Sequence, residues 1–94
     1  MTAQIFAKFT KDPDAELTYQ FDWSDWLATA VTISSYVITA DAGITVESDS
    51  NTDTAVNVKL SGGTVGESYD IACLMTDSSG EIDERTITIE VEER

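Results

Sequence analysis

Apolar and polar residues alternate with a period of two along most of the chain, in short segments bounded by Gly, Asp, Asn and Ser. Successive side chains of a strand point to opposite faces, so the pattern predicts half-buried β-strands. From Glu16 onward Leu17, Tyr19, Phe21 and Trp23 share one face, with Thr18, Gln20 and Asp22 on the other. Val56, Val58 and Leu60 define a second such face, and Ile87, Ile89 and Val91 a third. Between Ser68 and Thr76 the row Tyr69, Ile71, Cys73 and Met75 is backed by Ala72 and Leu74, as expected for a strand in the middle of its sheet. Over residues 31–39 the phase slips at Ser34-Ser35, since Val31 and Ile33 fall in one register and Tyr36 and Ile38 in the other, which predicts a β-bulge.

Turn signals stand at Asp41-Ala42-Gly43, Ser61 to Gly66 and Asp77 to Gly80. Ile44 to Glu47 reads as a short strand followed by a polar loop over 48–54. A first strand near Ile5 to Phe9 ends before Pro13, which has no N–H for a ladder. Residues 1–12 are therefore expected to be an N-terminal arm or edge strand, and 13–94 the domain proper. The segment Asp22-Trp23-Ser24-Asp25-Trp26-Leu27 departs from the alternation. Its tryptophans are three apart, Asp22 can cap free N–H groups and Asp25 can complement the positive end of a helix, so one short helical turn is expected there, with both tryptophans closing the core. About seven antiparallel strands with turn signals every 8 to 12 residues predict an all-β chain with the immunoglobulin-like β-sandwich fold.

Gly66-Glu67-Ser68-Tyr69-Asp70-Ile71-Ala72-Cys73 resembles the penultimate-strand region of immunoglobulin-like domains, where a tyrosine hydroxyl bonds back to the preceding loop; Tyr69 is the candidate for that corner. Lys11-Asp12-Pro13-Asp14, Phe21 to Leu27, Leu60-Ser61-Gly62-Gly63-Thr64 and Asp83-Glu84-Arg85-Thr86-Ile87-Thr88-Ile89 together resemble a set of small proteins encoded among the virion genes of tailed bacteriophages. The resemblance runs from Lys8 to Glu92. It implies a structural component of the phage particle, a decoration or auxiliary protein of head or tail, and carries with it no catalytic or binding residue.

At 94 residues the chain has room for one domain, and 18 acidic against 5 basic residues, with no histidine, give a net charge of −13. Such a charge repels polyanions, so nucleic acid and anionic membrane are not expected partners. The longest apolar run, Ile71 to Met75, falls far short of the roughly 20 residues of a membrane-spanning helix. The amino terminus lacks a basic region followed by an apolar stretch and does not read as a secretory signal, so synthesis in the host cytoplasm is expected.

Candidate chemistry is sparse. Asp49-Ser50-Asn51-Thr52-Asp53 matches the first ligand positions of a calcium loop, but Thr54 stands where glycine is needed and Leu60 where a bidentate glutamate belongs. A looser calcium site with Asp77, Glu81 or Asp83 stands against a solvated acidic surface, and the latter is the expectation. Trp23 and Trp26 can be read as a sugar-binding platform or as core, and core is expected. Cys73 lies in phase with Ile71 and Met75, as a buried inert thiol would. Asp22 and Asp25 fit capping better than acid/base catalysis, and Arg85 fits pairing with its acidic neighbours. No enzyme, cofactor or metal is expected. Ile5, Phe6 and Phe9 put three large apolar groups on the amino-terminal segment, more than a solvent tail needs, and are the candidate partner-binding residues. The reading is a non-enzymatic virion protein, a capsid decoration or auxiliary module docking on a head protein, with self-association on the particle open to it. The alternative is a tail-associated or adhesion module that binds host-surface carbohydrate.

Overall fold

The computed structural model describes residues 4–93, with side chains from Lys8 onward. Seven strands run β1 (Gln4–Lys11), β2 (Leu17–Asp22), β3 (Ile33–Ala40), β4 (Ile44–Asn51), β5 (Ala55–Gly62), β6 (Ser68–Asp77) and β7 (Ile82–Val91). They form a four-stranded sheet in the order β1-β7-β6-β3 and a three-stranded sheet in the order β2-β5-β4. With β2 to β7 taken as strands B to G, the neighbour orders B-E-D and C-F-G are those of immunoglobulin-type sandwiches, and β1 joins the G edge of the second sheet.

The period-two faces meet between the sheets. Phe21, Val56, Val58 and Leu60 of the smaller sheet and Ile71, Cys73, Met75, Ile87 and Ile89 of the larger are all fully buried. Each large apolar side chain removed from water in this way contributes roughly 1.5 to 3 kcal/mol, which is what holds the sheets face to face. The predicted phase slip is present as a register shift between Ile33 and Ser35 in the β3–β6 ladder. It lets Ile33 and Tyr36 face the same interior from a strand of odd spacing.

Three features differ from the sequence-based expectation. First, β1 pairs with β7 in parallel, while every other ladder is antiparallel. No hairpin joins β1 to its neighbour, because the chain leaves β1 through Asp12 to Glu16 and crosses to the other sheet, so nothing local imposes an antiparallel pair. Second, β4 continues through Ser48, Asp49 and Ser50 to Asn51, where a polar loop is expected. It is an edge strand, and its side chains from Glu47 onward lie in solvent, so hydrophobic alternation does not mark it. Third, residues 24–27 form a turn, and no helix occurs among the described residues. One α-type turn does close, with the N–H of Leu27 3.0 Å from the Trp23 carbonyl, but a single turn is far below the length at which a helix propagates.

At the end of the sandwich that holds the β5–β6 connection, the phenolic oxygen of Tyr69 accepts the Thr64 N–H at 2.9 Å, as the corner reading predicts. Gly63 makes the approach possible. Its φ is +96°, and a Cβ there would lie 2.6 Å from a Val91 methyl carbon and 3.3 Å from the Tyr69 ring. Beside it Lys11 is fully buried, its Nζ donating to the carbonyls of Gly62 at 2.7 Å and Asp12 at 2.8 Å. The ammonium ties the end of β1 to the end of β5 and, itself fully buried, finds its partners in these two carbonyls. Lys11→Met keeps the apolar stem but leaves these acceptors unfilled. It is expected to lower stability by roughly 1 to 3 kcal/mol in urea denaturation, and an unchanged midpoint would show that the buried ammonium contributes nothing.

Candidate interaction surface

The opposite end is built by the connections β2–β3 (residues 23–32), β4–β5 (52–54) and β6–β7 (78–81). Trp23 completes the inward row of β2 and is fully buried. An indole N–H in that position needs an acceptor, and Asp83 Oδ2 supplies it at 2.8 Å. A carboxylate drawn inward in turn needs a cation. Arg85 places Nε 3.6 Å from the same oxygen and its guanidinium carbon 5.1 Å from the Trp23 ring centroid, and Nη1 donates to the Asp22 carbonyl. The expected pairing of Arg85 with an acidic neighbour is thus realised, with Trp23 as the reason for it. Phe21 stacks on the same indole at 6.0 Å.

From this anchor the loop is tied down bond by bond. Asp22 Oδ1 accepts the Ser24 N–H at 2.8 Å, a bond that holds its carboxyl below the ordinary value of 3.8. The N–H of Trp23 donates to Thr54, that of Ile33 to Asp53, and that of Ser78 to the Thr32 carbonyl, all within 2.8 Å. Thr32 N–H donates back to the Ser78 hydroxyl. The three connections are therefore one hydrogen-bonded unit. In the β6–β7 turn Asp77 accepts the Ser79 hydroxyl at 2.7 Å and the N–H groups of Ser79 and Glu81, which lowers its pKa, the Ser79 side chain being the largest cause. A depressed carboxylate stabilises the fold above its ordinary pKa of 3.8, and the contribution is lost as pH falls below that value.

Trp26 does not join the core. It is 40% exposed, and the partly buried Leu27 next to it packs against the core in its place. The single turn from Trp23 to Leu27 does not carry both indoles inward, because Trp23 continues the inward row of β2 while Leu27 takes the core side of the turn. Ala30 then takes φ +66°, the left-handed region that non-glycine residues adopt at a cost. The segments 22–33, 48–54 and 77–84 contain no Lys or Arg, and Asp25, Asp53 and Glu81 are exposed among them.

The other candidates fall elsewhere. Asp49 accepts the Tyr36 hydroxyl at 2.6 Å, linking β4 to β3 across the open side between the sheets, and this bond together with burial and the Asp49 charge pushes the phenol up to about 12. Cys73 is a buried free thiol whose pKa burial raises to about 12, so it holds no reactive thiolate near neutrality. Among the described residues no group of three or more His, Cys, Asp or Glu is placed to share a metal ion, and no pocket is found. Of the amino-terminal candidates, Phe9 is half-buried with its ring 5.0 Å from that of Tyr19, while the side chains of Ile5 and Phe6 lie outside the described residues. A separate exposed apolar pair, Val37 (59%) and Leu74 (41%), sits directly cross-strand on the outer face of the larger sheet. The Trp23–Asp83 contact joins residues 60 apart, and no pattern in the sequence announces it.

Among the described residues no pocket opens, and the exposed large apolar side chains include Trp26, Val37 and Leu74. The chain belongs to the Gp77 family, described as podophage GP4 fiber-tail adaptor protein gp77, whose model matches residues 11–90. The match begins where β1 ends, and no curated protein matches the chain. Membership makes the protein a component of the phage virion, assembled in the host, in keeping with the resemblance to phage virion proteins.

The two tryptophans are expected to behave oppositely. Trp23→Ala should cost roughly 3 to 5 kcal/mol, as large-to-small aromatic deletions do, whereas Trp26→Ala should change stability by under about 1 kcal/mol. In quenching experiments acrylamide should reach only the Trp26 emission, and caesium should quench it better than iodide because the surrounding carboxylates repel the anion. Equal protection of both indoles, or a large stability loss in Trp26→Ala, would contradict this assignment.

Proposed function

We propose that the protein is a non-enzymatic adaptor of the phage tail, an immunoglobulin-like module that joins a fiber to the tail by protein contacts on two sides. The observation that carries this reading is the family match over residues 11–90, whose description names a fiber-tail adaptor. It favours the tail-associated alternative over capsid decoration. The geometry supports it in a simple way, because an adaptor needs two contact regions held at fixed separation. A rigid sandwich offers them: Trp26 at the loop end and the Val37–Leu74 pair on the outer face of the larger sheet are distinct exposed apolar features. The parallel edge strand β1, which carries Ile5, Phe6 and Phe9, adds a backbone edge to which a partner strand can pair. A net charge of −13 favours partners with basic surfaces and disfavours nucleic acid.

Phage lacking this gene are expected to assemble filled heads with tails that carry no fibers, and adding the purified protein together with fiber should restore fibers and adsorption. Electron micrographs of the deletion particles decide the matter. Fibers present in normal number, with a protein missing from the head surface instead, would return the capsid-decoration reading.

A further inference from the structure

Trp26 combines three properties that seldom coincide on a free surface. It is a large aromatic side chain 40% exposed, although Leu27 beside it is used for the core. It stands on a frame that cannot readily collapse to cover it, since the backbone bonds from Trp23 to Thr54, Ile33 to Asp53 and Ser78 to Thr32 fix the loop on both flanks. The Trp23–Asp83–Arg85 cluster locks the loop's base. Finally, the chain accepts a left-handed alanine at Ala30 to complete this loop, which is tolerated only when the surroundings over-determine the conformation. A side chain held in place before binding loses little freedom on binding, so its buried area is not offset by ordering. Tryptophan is also among the residues most enriched where truncation removes much of an interface's energy.

The charge around it defines the partner. Asp25, Asp53 and Glu81 are exposed in the three connections, and the segments that form this end contain no lysine or arginine. Arg85, whose guanidinium reaches the Asp22 carbonyl at the base of this loop, is turned inward onto Asp83 and the Trp23 ring. An exposed indole at an end whose connections carry carboxylates and no cation is complementary to an apolar notch rimmed by basic side chains, which can meet the carboxylates and lie over the indole face.

We propose that the loop end is a docking surface for a protein partner within the tail, and that Trp26 is its anchor, entering an apolar notch bordered by lysine and arginine. This rests on the adaptor reading and assigns one of its two contact regions. The test uses the full chain with two probes, particles purified from the gene-deletion phage and the isolated fiber protein. Wild-type protein should bind both. Trp26→Ala should weaken binding to one of them by roughly thirtyfold or more while leaving the other unchanged, and Trp26→Phe should recover part of the loss. For the affected partner, raising sodium chloride from about 50 to about 500 mM should slow association of wild type more than that of an Asp25→Asn, Glu81→Gln variant. Circular dichroism and melting of Trp26→Ala should match wild type, which separates lost contact from lost fold. If wild type binds both probes and Trp26→Ala binds them equally well, the docking proposal fails and the adaptor reading stands. Wild type binding neither probe would remove the adaptor reading and the proposal with it. Trp26 emission that shifts with host-surface oligosaccharide but not with either protein probe would replace the protein notch by a sugar.

Discussion

The loop end of this small sandwich is organised by the burial of one indole. Trp23 fills the space where the two sheets open, and a buried indole N–H must have an acceptor. Asp83 provides it, Arg85 is held against both the carboxylate and the ring, and the same guanidinium reaches the Asp22 carbonyl from which the loop departs. One apolar burial thus recruits an acid, a base and a backbone acceptor into a single arrangement, and fixes where the β2–β3 connection leaves the domain. Without that arrangement Trp26 would be an aromatic residue on a loose loop; with it, the residue has a defined position.

The two ends of the molecule are stabilised by different means. At the end holding the β5–β6 connection, a tyrosine oxygen, a close-packed glycine and a buried ammonium draw β1, β5, β6 and β7 together. That is an apparatus for holding strands, and it leaves the side chains of Val65 and Leu17 exposed beside it. The loop end is tied by hydrogen bonds of similar length and keeps the Trp26 indole partly in water.

How much of this is legible in the sequence depends on whether burial or contact geometry sets the feature. Faces defined by burial on one side are plain in the alternation: Val56, Val58 and Leu60, or Ile87, Ile89 and Val91, lie where period two puts them, and even the slip at Ser34-Ser35 is present as a bulge. Polar edge strands are not legible, because nothing apolar marks their inward face, which is why β4 runs through Ser48 to Asn51 in place of a loop. The direction of β1 is invisible for another reason, since chain crossings carry no local signal. The loop end is the hardest part. Spacing makes Trp23 and Trp26 equivalent, and what separates them is a contact with Asp83 that lies 60 residues away and the packing of Leu27 against the core in place of Trp26. The family match, confined to residues 11–90, adds what no periodicity contains, the class of assembly to which the fold is put.

Native-state hydrogen exchange of the free protein reports whether the loop end is ordered before any partner arrives. The amides of Leu27, Ile33 and Ser78, each bonded to a carbonyl within this end, should be protected to a degree approaching that of the central strands β5 and β6. Substituting Asp83→Ala should release Leu27 and Ile33 while sparing the strands. Exchange of these three amides in the wild-type protein at the rate of an unstructured loop would contradict the account, because Trp26 would then have no fixed position from which to dock.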